Sequence, residues 1–141
     1  MIYKYIGDAI QAVFYEEPNK ENQVIRASKA ALAMRKALKE FNEERKKENL
    51  FTIENGIGID TDSAITGTIG TQNGRKDFSV NGDVIARAAN LESRTKQTQS
   101  KILISKNSLK AIKGDNTFGI HSVDVITKDF DEESVELIDV R

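Results

Sequence analysis

The sequence predicts a mixed α/β or α+β domain built around a mixed sheet. Short β-prone runs alternate along the chain with stretches of helical period, and 141 residues suffice for one buried core. A content of 38% hydrophobic and 30% charged residues is ordinary for a globular chain. The formal net charge of −1 lends no support to a polyanion-binding face, so nucleic acid is not an expected partner. There is no cysteine, which excludes disulfides and thiolate metal sites. The longest apolar runs, such as Ile102–Ile104, are too short to span a bilayer. The opening "MIYKYIGD" lacks the basic flank and apolar core of a signal peptide, and a cytoplasmic location is expected.

The elements follow in order. Ile2–Ile6 and Ala9–Phe14 flank Gly7-Asp8, a hairpin signal. "YEEPNKEN", with the only proline, is a polar loop. From Gln23 to about Lys47 the apolar residues Ala27, Ala30, Ala31, Met34, Leu38 and Phe41 recur at three-to-four spacing, an amphipathic helix with Asn22 as its cap. "FTIENGIGID" and "SAITGTIG" read as two strands around a turn at Thr61-Asp62. Glycines 56, 58, 67 and 70 there suggest close approach by another group. The polar loop "TQNGRK" leads through "DFSV" into a helix opening at Gly82-Asp83. "KILIS" is a short buried strand, "KNSLKAI" a brief helical turn, and "FGIHSVDVI" with "SVELIDV" a closing strand pair. There is no internal repeat or linker, and a single domain over 1–141 is expected.

Two segments carry a resemblance. "KYIGDAIQAVF" (Lys4–Phe14) resembles the metal-carrying hairpin of class III nucleotidyl cyclases. "IGIDTDSAITGTIG…RKDFSVNGDVIARAANLES" (Ile57–Ser93) resembles their next signature, a strand pair followed by a Gly-Asp helix start. Their order, their spacing and the intervening amphipathic helix also fit. The chain is thus similar to about the C-terminal two thirds of such a catalytic domain. The resemblance implies a ferredoxin-like α+β fold, an α/β sandwich with a mixed, mainly antiparallel sheet packed by helices. It would here lack the first strand and the helices that follow it. It also implies head-to-tail pairing, as a homodimer or as a heterodimer with another cyclase domain, with active sites at the interface. The implied reaction is attack of the ribose 3′-hydroxyl of ATP or GTP on the α-phosphate, giving a cyclic nucleotide and pyrophosphate. Two carboxylates would hold two divalent ions, Mg2+ or Mn2+, and donors would meet the charge developing on phosphoryl oxygens.

Residue by residue, Asp8 stands where the family places its second metal aspartate, although Asp is also an ordinary turn residue. The first metal aspartate belongs to an upstream Phe-x-Asp-Ile-like segment, and no carboxylate precedes Asp8 here. A shortened piece, a misplaced start, a partner chain supplying the strand, or a natural remnant that pairs differently would each account for this. Lys4 matches the purine-facing lysine, and Ser79, three residues before Gly82, matches the second base-selecting position. A lysine with a hydroxyl suits adenine, since both can donate to ring nitrogens. Plain alternatives are a solvated edge lysine and a filler serine. Arg75 and Lys76 lie where relatives hold basic groups toward the triphosphate, or are simply surface. Lys128 is a weaker phosphate contact, and His121 reads as a packed structural residue.

The helix after Gly82 departs from the pattern. The family runs Gly-Asp-x-Val-Asn-x-Ala-x-Arg, with its Asn and Arg on one helical face. Those two positions are Ala86 and Asn90 here. Alanine donates nothing, and Asn90 offers a neutral amide in place of a guanidinium. Arg87, anchored by Asn90, is the remaining candidate for compensation. It stands about 100° around the helix from Ala86, and the alternative for it is a solvated position. Asp83 serves best as a helix N-terminal carboxylate. Expected functions are therefore a cyclase domain of weak or no activity, a pseudo-cyclase module that binds nucleotide or regulates a partner cyclase, or an orphan fragment.

Overall fold

The computed structural model describes residues 1–98, 100–112, 114, 118–126 and 133–139. The chain forms two compact units, Met1–Glu54 and Asn55–Arg141.

In the first unit, β1 (Ile2–Ile6) and β2 (Ala9–Ala12) pair antiparallel, with Tyr5 opposite Ile10 and Ile6 opposite Ala9. Gly7 turns the chain at a φ of 59°, a left-handed conformation that glycine adopts without a Cβ clash, so the Gly-Asp hairpin is as the sequence predicts. Arg26 then gathers the loop: its Nε donates to the carbonyl of Glu21 at 2.9 Å, Nη1 to Glu17 at 3.3 Å, and Nη2 to the carbonyl of Tyr15. Helix α1 (Gln23–Lys47) starts where Asn22 Oδ1 accepts the Val24 N–H at 2.8 Å. Its buried residues are Val24, Ser28, Ala31 and Leu32, one stripe at helical spacing. Met34 and Phe41, which the sequence places in the apolar stripe, are half exposed.

Asn49 takes a φ of 58° just past the helix end, a conformation asparagine tolerates, and the chain reverses. Residues 50–53 run back along α1. Leu50 N–H donates to Arg45 O at 2.9 Å, and Arg45 Nε donates to Phe51 O at 2.7 Å. The amide of Asn42 both donates to Ile53 O and accepts from Ile53 N–H, each at 2.8 Å, imitating a strand neighbour.

Among its described residues the second unit has a four-stranded sheet, a separate hairpin and two helices. The sheet order is β3 (Ile57–Ile59), β6 (Ile102–Ser105), β8 (Glu133–Asp139), β7 (Phe118–Ile126). β3 and β6 run parallel; β6–β8 and β8–β7 are antiparallel, so the sheet is mixed and mainly antiparallel as expected. Ile102, Leu103 and Ile104 are all buried, the continuous apolar run of a strand covered on both faces. With Ile59, Val80, Leu91 and Ile112 they form the core.

One expectation is corrected. The strands either side of Thr61-Asp62 do not pair with each other. β3 pairs with β6, and β4 (Ile65–Gly70) instead forms a hairpin with β5 (Lys76–Asn81). The turn-like Asp62 is real in its local chemistry, since its Oδ1 accepts the Ser63 N–H at 2.7 Å. It bends the chain out of the sheet rather than back onto it. The parallel partner of β3 arrives only after the crossover helix α2 (Asp83–Thr98).

Two glycines allow that helix to seat closely. A Cβ on Gly58 would stand 2.1 Å from Ala88 O and 2.4 Å from Glu92 N, and one on Gly56 would meet the Thr95 side chain at 1.9 Å. At Gly56 and Gly58 the close approach read from the sequence is therefore that of α2 to β3. Gly70, by contrast, meets only the backbone of Arg75 and Lys76 in its own hairpin, and Gly67 meets no atom within 4 Å, contrary to that reading.

Candidate functional site

At the C-terminal end of β3 the chain carries Asp60 just past buried Ile59, and α2 brings Arg87 over it on its second turn. Arg87 Nε donates to Asp60 Oδ2 at 2.6 Å, and its Nη2 donates to Asp62 Oδ2 at 2.7 Å. The Asp60 side chain is 0% exposed and that of Arg87 is 11%, whereas Asp62 is 48% exposed. The hydrogen bond from Arg87, then that from the Ser63 N–H, holds the Asp62 carboxyl below its usual range.

The second oxygen of Asp60 is also engaged. Ser105 Oγ donates to Asp60 Oδ1, and the same Oγ accepts the Ser108 N–H at 3.2 Å. Ser105 therefore caps α3 (Lys106–Ile112) while completing the shell of a buried carboxylate. A buried charge needs this degree of pairing to be tolerated at all.

The other predicted site residues fall as follows. Asp8 is exposed at the β1–β2 turn, and Lys4 is exposed with its Nζ 5.7 Å from the Tyr3 ring centroid. Arg75 pairs with Asp77 at 3.2 Å on the surface. Ser79 accepts a hydrogen bond from Asn81 Nδ2 at 2.8 Å. Ala86 is exposed and Asn90 half-buried, one turn apart on α2. Lys128 and the side chain of His121 lie outside the described residues. Arg87, Ser79 and Arg75 are each engaged by a residue that the sequence reading did not assign to the site: Asp60 with Asp62, Asn81, and Asp77. An aspartate directly after an apolar Gly-Ile strand was the available signal for Asp60.

Among the described residues no three His, Cys, Asp or Glu side chains converge as a metal set. Asp8 is one carboxylate, and one carboxylate does not fit a pair of divalent ions. The described residues of this chain therefore do not by themselves make a two-metal centre.

In the second unit a mixed sheet is crossed by α2, which opens at Gly82-Asp83, an α+β arrangement; the first unit carries the Gly7-Asp8 hairpin. Residues 2–132 match the family model of the adenylate and guanylate cyclase catalytic domain, and the chain belongs to that family. It is 35% identical over 142 residues to the terminal-differentiation specific adenylate cyclase of Dictyostelium discoideum. It is 34% identical over 145 residues to an adenylate cyclase of Anabaena cylindrica. Both matches cover 99% of this chain but only 6% and 28% of those relatives, so the chain spans a small part of their length. The crystal structure of the guanylyl cyclase Cya2 superposes with a TM-score of 0.72 at 27% identity, over 99% of this chain and 68% of that one. Among the described residues no helix is long and apolar enough to cross a membrane.

Proposed function

We propose that this chain is an adenylyl-type cyclase domain of cyclic-nucleotide signalling that binds ATP in preference to GTP. By itself it forms cyclic nucleotide slowly or not at all. The observation that carries this reading is the ion triad of Arg87 with Asp60 and Asp62. Cyclisation puts negative charge on phosphoryl oxygens and needs cationic or hydrogen-bonding groups there. The family's donor positions hold Ala86 and Asn90, and Arg87 is already spent on two carboxylates. One positive and two negative formal charges leave that cluster at −1, which repels a triphosphate.

Lys4 and Ser79 are assigned to the purine, Arg75 to the triphosphate, and Asp8 to a single carboxylate contact with Mg2+ or Mn2+. The chain is assigned to pair with a second cyclase domain, either another copy of this chain or a different subunit, and only a different subunit brings the donors that Ala86 and Asn90 do not supply. The same triad favours a second reading, a non-catalytic module that binds nucleotide and regulates a partner cyclase.

One experiment separates the two. Purified protein is incubated with ATP or GTP and Mn2+ and assayed for cyclic product beside a Lys4→Ala, Asp8→Ala control. Product above the control supports the slow enzyme and excludes the module. A melting temperature raised by nucleotide without product supports the module. Neither product nor a shift refutes both.

A further inference from the structure

The β4–β5 hairpin carries a polar pair beyond the assignment of Ser79 alone. In its antiparallel register Ser79 lies opposite Gly67, Asn81 opposite Ile65, and Asp77 opposite Ile69. Directly paired residues point to the same side, and alternate residues of one strand do too, so all six share one face of the ribbon. A Cβ on Gly67 would meet no atom within 4 Å, so the face is open at its middle. Ile65 and Ile69 flank that opening and are 79% and 64% exposed. A flat aromatic ring laid over Gly67 would rest between two apolar side chains with Ser79 and Asn81 at its edge.

At that edge Asn81 Nδ2 donates to Ser79 Oγ at 2.8 Å. A serine hydroxyl has one proton to give and two lone pairs to accept with, and it rotates to suit its neighbours. Once a lone pair is taken by Asn81, the proton is turned away from Asn81, toward whatever lies over the face.

We propose that Asn81 is a positioning residue that fixes the Ser79 hydroxyl as an outward donor and so tilts this face toward adenine over guanine. The discriminating atom is N1 of the purine, an acceptor in adenine and an N–H donor in guanine. A fixed donor satisfies the first and leaves two donors facing each other in the second. This inference rests on the reading of Ser79 as a base-contacting residue.

The test measures binding of ATP and of GTP to the whole chain, by titration, for wild type, Asn81→Asp, Ser79→Ala and the double variant. Aspartate keeps the shape of asparagine but has no proton to give, so Ser79 must donate to it and present lone pairs outward. Asn81→Asp is therefore expected to shift the ATP:GTP affinity ratio toward GTP by about tenfold. The added charge weakens both nucleotides alike and cancels in the ratio. Ser79→Ala should lower the preference to what Lys4 alone supplies, and the double variant should match Ser79→Ala, because Asn81 acts only through the hydroxyl. A ratio unchanged by Asn81→Asp but lowered by Ser79→Ala overturns this proposal and leaves the Ser79 assignment standing. A ratio unchanged by Ser79→Ala, or no binding of either nucleotide, overturns both.

Discussion

Arg87 and Asp60 meet 2.6 Å apart, 27 residues apart in sequence, and the carboxylate is wholly buried. A guanidinium in that position acts as the counter-ion of the β3–α2 contact. Its outer nitrogen reaches Asp62 and ties the first residues after β3 to the same helix. Arg87 is therefore a fastener of the fold before it can be a catalyst.

Removing it should be costly. Arg87→Met leaves the Asp60 charge buried without its cation and should lower unfolding free energy by about 3 kcal/mol, read from urea midpoints at constant slope. Arg87→Lys should recover only part of this, since one ammonium cannot reproduce two directed N–H bonds. A loss below about 0.5 kcal/mol in Arg87→Met would show that the pair is not formed.

The acid limb of stability should depend on Asp62. Its carboxyl titrates below the ordinary value of 3.8 because the charged form is bound by Arg87 and the Ser63 N–H. A depressed carboxyl stabilises the fold above its unfolded value and loses that contribution as pH falls through the folded one. Stability should thus decline from about pH 4 downward, and Asp62→Asn should flatten that part of the curve. Glu17, lowered first by its hydrogen bond with Lys20, adds to the same limb, so the decline should shrink in Asp62→Asn rather than vanish. An identical acid limb in the variant would contradict the triad.

Turnover should respond to Asn90. Asn90→Arg places a guanidinium at the family's arginine position without touching Arg87. Paired with Ala86→Asn, it should raise cyclic-nucleotide formation with Mn2+ by about two orders of magnitude. Equal rates for the double variant and the wild type would mean that activity is lost elsewhere.

Two glycines make a contrast. Gly58→Ala drives a methyl into Ala88 O and Glu92 N and should cost at least about 1–3 kcal/mol, as overpacking does. Gly67→Ala enters open space and should change stability by no more than about 0.5 kcal/mol. Chemical denaturation of the two variants side by side checks this, and equal costs would refute the close seating of α2.

The legible parts of the molecule were those decided by near neighbours. The Gly7-Asp8 hairpin, the Asn22 cap, α1 and the closing β7–β8 pair all follow from turn chemistry and period within a few residues. The pairing of β3 was not legible, because a parallel neighbour lies a whole crossover away and Thr61-Asp62 imitates a hairpin turn. Ala86 and Asn90 were assigned to the family's donor positions by register against its pattern alone. The engagement of Arg87 with Asp60 was hidden for a different reason: a buried pair depends on the depth of two elements, which charge patterning along one helix does not encode.

The seat that Gly58 provides has one more effect. With Ala88 O and Glu92 N lying where a side chain would be, α2 is held like a shaft in a keyway. Moving Arg87 into the place of Ala86 would take a roll of about 100° about the helix axis. Such a roll would bring bulkier side chains onto a strand that has room only for backbone. The azimuth of every residue on α2 is thus set by an absent methyl on β3, and an arginine one residue out of step stays out of step.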